Sequence, residues 1–106
     1  MENPWRGEVE IVIDGETRCM RLTLGALAEL EATLGADSLV ALVERFETGR
    51  FASRDVLALI VAGLRGGGWD VRPDVIARAD IAGGPLAAAE AAARLLARAF
   101  AEPAPA

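Results

Sequence analysis

The chain contains no histidine, no lysine, no tyrosine and a single cysteine. Without imidazole, ammonium or phenol groups, proton transfer at a reacting centre would fall to carboxylates alone. The carboxylates here sit at helix caps and on outer helix faces in the pattern read below, where solvated and capping roles are the norm. Glu29 and Glu31 are two apart, so a helix turns them to different faces. Asp70, Asp74 and Asp80 lack EF-hand spacing and come with none of the soft ligands a transition metal prefers. The expectation is a non-enzyme with no catalytic residue, no metal and no cofactor.

Other absences narrow the partners and the compartment. Cys19 stands alone, which excludes an internal disulfide and any dependence on an oxidising compartment. It reads as a small buried hydrophobe, because Arg18 and Arg21 are its neighbours only in sequence. Positive charge comes from arginine only, eleven residues against sixteen carboxylates, for a net charge of -5. An acidic chain has no broad attraction for nucleic acid or an anionic membrane. Trp5 and Trp69 are isolated, and the arginines are interleaved with acids instead of forming a stripe. The longest weakly polar run, residues 86–100, is broken by Glu90, Arg94 and Arg98 and is too short to span a bilayer. The opening MENPWRGEVE has no signal-peptide core. These points predict a soluble cytoplasmic protein that binds neither nucleic acid nor membrane.

What is present is apolar and patterned. Hydrophobic residues make up 53% and charged residues 25%, a globular composition, and the length of 106 fits one domain over residues 1–106. The organising stretch is SRDVLALIVAGLRGGG, residues 53–68. As a helix it is apolar over more than half its circumference, which places it centrally. Ser53 would be its N-cap, Asp55 lies in its first turn, and Gly66 to Gly68 would stop it. That glycine run follows a helix and lacks a Gly-Lys-Ser/Thr ending, so it is no phosphate loop.

Residues 1–7 form a loose lead-in, with Pro4 and Gly7 as breaks and Trp5 folding back onto the body. Period-two alternation then predicts a hairpin over residues 8–24, with Val9, Ile11, Ile13, Met20, Leu22 and Leu24 on one face. A Gly15-Glu16 loop would set Ile11 opposite Met20, and an Asp14-Gly15 type I′ loop is the competing register. A hairpin alone is marginal, so helices must cover it.

One helix starts at Thr23 or Leu24, carries Leu27, Leu30 and Leu34, and ends at Gly35. A second, capped by Asp37 or Ser38, carries Leu39, Leu42, Val43 and Phe46 and closes at Gly49. After the central helix, Pro73 opens a short turn and Pro85 a last, alanine-rich helix. Leu86, Ala89, Ala93, Leu96 and Phe100 read as its core face. Ala88, Ala92, Leu95 and Ala99 then form an outward, smooth face, which with the hairpin edge near Val12 and Cys19 makes the predicted partner-binding surface. Residues 101–106 form a flexible tail. The predicted fold is α+β and mostly helical: an N-terminal β-hairpin packed on a bundle of about four to five helices over residues 25–100.

The segments RGEVEIVIDGETRCMRLTLGALAELEATLG and DSLVALVERFETGRFASRDVLALIVAGLRGGG together resemble the small tail proteins of gene transfer agents. That family is related to phage tail-assembly chaperones and is also labelled as a tail-tube protein. The distinctive parts are the Arg-Gly-Glu opening, the Asp-Gly hairpin, the segment from Leu22 to Glu31 and the ending from Ala62 to Gly67. They are fold signatures and transfer no active residue. The resemblance implies a non-enzymatic role in building the tail of a gene transfer agent or prophage. A chaperone of this kind holds the tape-measure protein until tail-tube subunits polymerise around it. The alternative is a structural subunit of the tube. The implied partners are the tape-measure protein, the tail-tube protein or further copies of the chain, in the cytoplasm or within a phage-like particle.

Overall fold

The computed structural model describes residues 7–35 and 39–100. The lead-in with Pro4 and Trp5, the Asp37 or Ser38 cap and the tail from Glu102 lie outside the described residues. The elements are β1 (Val9–Ile13), β2 (Glu16–Met20), α1 (Leu24–Leu34), α2 (Leu39–Glu47), α3 (Ser53–Gly66), α4 (Pro73–Ala77) and α5 (Gly84–Ala99). The fold is therefore α+β and mostly helical, with α3 packed on β2, α1, α4 and α5.

Asp14 and Gly15 both adopt positive φ, 50° and 81°, which selects the type I′ loop and the register Val9↔Met20 through Ile13↔Glu16. The hairpin is shorter than the alternation predicts. β2 ends at Met20, and Leu24 is 84% exposed. The cause is local: the Thr23 hydroxyl accepts a hydrogen bond from the Ala26 N–H at 3.1 Å and starts α1 one residue later. At the other end of α1 Gly35, at φ 58°, donates its N–H to the Glu31 carbonyl. α2 buries Leu42, and its Phe46 ring stacks on Phe51 with centroids 4.6 Å apart, fixing the entry into α3.

α3 buries Val56, Leu59, Ile60, Val61, Ala62 and Leu64. Each large side chain among them contributes about 1.5–3 kcal/mol when fully buried. Its cap differs from the sequence expectation, because Ala52 and not Ser53 holds the N-cap position. Alanine has no side-chain acceptor, so Asp55 caps by reaching back to accept from the Ala52 N–H at 2.8 Å. The Asp55 carboxylate is buried, and Arg45 of α2 donates to it at 3.3 Å.

The glycine run does more than end the helix. Gly66 is still helical, and a Cβ there would lie 1.9 Å from the Arg21 carbonyl oxygen. One on Gly67 would lie 2.1 Å from the Cys19 carbonyl oxygen. The two glycines let the end of α3 press directly onto the last residues of β2 and the backbone just after it, where Arg21 N–H donates to the Gly63 carbonyl at 2.8 Å.

The last helix corrects the predicted faces. Ala88, Ala91, Ala92, Leu95 and Leu96 are buried, while Leu86 is 71% and Phe100 50% exposed. The alanine face turns inward because α3 offers it a matching hollow at Gly63, where any Cβ would meet Leu95 Cδ2 at 2.6 Å. Small residues on both helices permit the close approach, and Leu95 fills the hollow.

Candidate interaction surface

The six residues predicted to meet a partner do not share a surface. Ala88, Ala92 and Leu95 are 5%, 0% and 0% exposed and lie together in the core, and Ala99 is half-buried. They have no outward face to offer, which corrects the predicted orientation of α5. Val12 and Cys19 are half-buried on the hairpin, and the chain itself occupies the backbone beside them. Asp14 N–H donates to the Asp80 carbonyl at 2.8 Å, Ala82 N–H donates to the Val12 carbonyl at 3.1 Å, and Ile13 bridges Ile81. Asp80 N–H in turn donates to the Asp14 carboxylate at 2.9 Å. At the opposite end of β1 the Arg98 guanidinium donates to the Glu8 carbonyl. The outer edge of β1 is thus tied down by residues 80–82 and by Arg98 of α5, and the end of β2 by the glycine end of α3.

A groove with an apolar lining lies elsewhere. A groove of about 720 Å³ runs between α3, α4 and the start of α5, lined chiefly by Val56, Leu57, Ile60, Ile76, Ile81 and Ala89. A smaller hollow of about 210 Å³ lies between α1 and α3, over Leu30, Leu34, Leu57 and Val61. Arg54 and Leu57 belong to both, so the two meet across the first turns of α3. The charged side chains lining the larger groove are Arg54 and Asp80, and neither forms an ion pair among the described residues. Leu57 was the signal available in the sequence. It belongs to the apolar arc of α3, yet the residues that wall the groove opposite it come from α4 and α5, and their placement is a tertiary property.

The remaining charges serve the fold. Arg65 pairs with Glu29 at 3.5 Å and donates to the Val71 carbonyl at 2.9 Å, joining α3 to α1 and to the connector before α4. The Arg18 guanidinium lies 3.9 Å over the Trp69 ring, which pins the same connector to β2. Arg72 donates two hydrogen bonds to Asp74 and thereby holds its carboxyl below the usual carboxylate range, at a fully exposed site. Among the described residues no group of histidine, cysteine or carboxylate side chains is placed to hold a metal. No described helix is long and apolar enough to cross a membrane. Among the described residues the groove therefore offers apolar area flanked by one cation and one anion, Arg54 and Asp80.

No curated protein and no solved structure matches the chain. A family model does, described as phage tail tube protein, GTA-gp10, over residues 6–102. Because that match takes in the hairpin, both grooves and every helix from α1 to α5, the chain belongs to the GTA-gp10 phage tail tube protein family.

Proposed function

We propose that this member of the family is a non-enzymatic, chaperone-type factor in the assembly of a phage-like tail, in a gene transfer agent or prophage. It acts by covering apolar helical surface on the tape-measure protein, the tail-tube protein or both, in the cytoplasm before the tail is complete. The observation that carries this reading is the groove of about 720 Å³ on a chain whose outer β1 edge is already engaged. The net charge of -5 adds to it, since an acidic factor stays soluble while holding an aggregation-prone partner.

The second reading, a subunit of the tube itself, is favoured by the family's own description. Tube rings are commonly joined through extended sheets, and among the described residues the sheet has two strands, in the order β1-β2. Co-expression with the tape-measure protein and, separately, with the major tail-tube protein separates the readings. Soluble tape-measure protein recovered only in the presence of this chain is the expected result. Rings or fibres formed by this chain alone, with neither protein copurifying, would replace the chaperone reading by the tube subunit.

A further inference from the structure

We infer that the outward face of α5 is a self-association surface, on which a second copy of this chain docks antiparallel about a twofold axis passing between Ala92 and Ala93. The inference goes beyond the assembly reading and does not depend on it.

Among the described residues the large apolar side chains left well exposed are Leu24, Val40, Val75, Leu86 and Phe100, and the last two lie on one helix and its cap. Leu86, Glu90, Ala93, Ala97 and Phe100 recur at spacings of four, three, four and three, the rhythm of a seam between two helices. At 3.6 residues per turn they fall within an arc of about 80°, with Arg94 on its flank. All six residues are exposed, while Ala88, Ala91, Ala92, Leu95 and Leu96 hold the other side of α5 in the core. The helix thus presents a second packing face, about 21 Å long from Leu86 to Phe100 at 1.5 Å per residue.

The charges on this face choose its occupant. Glu90 and Arg94 are the two it carries, and neither forms an ion pair among the described residues. The charged neighbours beside it are Arg98 and, on β1, Glu8 and Glu10, and each of these already has a partner within the chain. With the axis between Ala92 and Ala93, residue 90 of one copy lies opposite residue 95 of the other, so each Glu90 meets Arg94 of the second copy. The same register sets Leu86 against Ala97 and Phe100 of the second copy. It also brings the two Ala93 side chains to the crossing, where their small size lets the helix axes approach to about 8 Å. A parallel pairing would place Glu90 on Glu90 and Arg94 on Arg94. A foreign helix carrying charge of one sign would be attracted by one of these residues and repelled by the other. A face with one charge of each sign, disposed evenly about its middle, is complementary to itself, as an isologous interface requires.

Glu90 and Arg94 are four apart and can also meet within one helix, so the exchange across the interface sets orientation more than affinity. Leu86 and Phe100 supply the apolar area. One helix face of this size buries less than the roughly 1,200 Å² of a standard interface, so the dimer is weak, with a Kd of about 50–500 μM.

Sedimentation velocity on the purified chain tests this between about 10 μM and 2 mM, where a reversible monomer–dimer equilibrium is expected. Leu86→Asp should weaken dimerisation at least about tenfold and leave the circular dichroism of the monomer unchanged. Glu90→Arg and Arg94→Glu should each weaken it several-fold at low salt and less at high salt, and an equimolar mixture of the two variants should regain it. Orientation is read by cross-linking in a Cys19→Ala background. Ala93→Cys should give a disulfide-linked dimer under mild oxidation, and Ala97→Cys should not, because antiparallel copies hold those two positions about 14 Å apart.

A chain that stays monomeric up to about 2 mM overturns the inference, and so does a dimer indifferent to Leu86→Asp and the charge variants. Cross-linking through Ala97→Cys as readily as through Ala93→Cys would make the pairing parallel and equally overturn it. Rings or open fibres would replace the twofold contact by a head-to-tail one. A monomeric chain whose copurification with a tail protein is lost on Leu86→Asp would assign the face to that protein instead, overturning the inference while the assembly role stands.

Discussion

At the residue scale, the contacts that set this fold are close approaches of backbone. Gly66→Ala forces a Cβ against the Arg21 carbonyl and should cost about 3 kcal/mol in urea unfolding, because the backbone there has nowhere to move. Gly68→Ala meets open space but a φ of +106°, and should cost only about 1–2 kcal/mol. A Gly66 variant no worse than the Gly68 one would show that α3 does not press on the strand. Asp55 gives a second test. Asp55→Ala removes the cap on Ala52 and leaves Arg45 without its partner, for about 2 kcal/mol. Asp55→Asn keeps a capping acceptor and loses only the attraction to Arg45, whose side chain is 33% exposed, so the cost should stay near or below about 1 kcal/mol. Chemical denaturation of the pair decides between a cap and an ion pair as the main role of Asp55.

At the scale of elements, the orientation of α5 is the most direct check. Leu95→Asp puts a carboxylate into a fully buried hollow beside Gly63 and should prevent folding, whereas Leu86→Asp on the exposed side should change stability by less than about 0.5 kcal/mol. Circular dichroism with thermal unfolding reads both. The hairpin turn gives another check. Asp14 must hold φ 50° and also accept from Asp80 N–H, two demands that asparagine meets, glycine meets in part and alanine meets in neither respect. The stability order Asp14→Asn above Asp14→Gly above Asp14→Ala is expected, with alanine about 1–2 kcal/mol below the wild type.

Much of this was legible in the sequence. Thr23, Gly35, Gly49 and Pro73 punctuate the helices where their chemistry predicts, and the alternation of Val9, Ile11 and Ile13 marks β1. The faces of α5 were not legible. In an alanine-rich helix hydrophobicity barely differs from side to side, so the choice falls to shape, and the hollow at Gly63 that admits Leu95 belongs to another helix. The groove stayed hidden for the same reason. Leu57 reads as one more core residue of α3 until α4 and α5 are seen to stand away from it.

At the scale of the whole molecule, the buried hydrophobic residues among those described form one core cluster, to which the hairpin and all the helices contribute. The radius of gyration is 12.8 Å, about what a folded chain of this length gives. On the proposed assembly-factor reading, such a body shields only a short stretch of an extended partner at a time, so more than one copy should bind each partner chain. The stoichiometry measured by light scattering on the co-purified complex checks this, and a one-to-one complex would count against it. Binding that depends on apolar area should also survive about 1 M salt, where exposed charges more than about 3 Å apart are screened.

The bridge between Ile13 and Ile81 also has a consequence in time. Asp80 leaves the ribosome 66 residues after Asp14, roughly 3–13 s later at ordinary rates of synthesis. For that interval the outer edge of β1 lies bare on the nascent chain, open to the wrong neighbour. A translational pause between the two segments would lengthen the exposure.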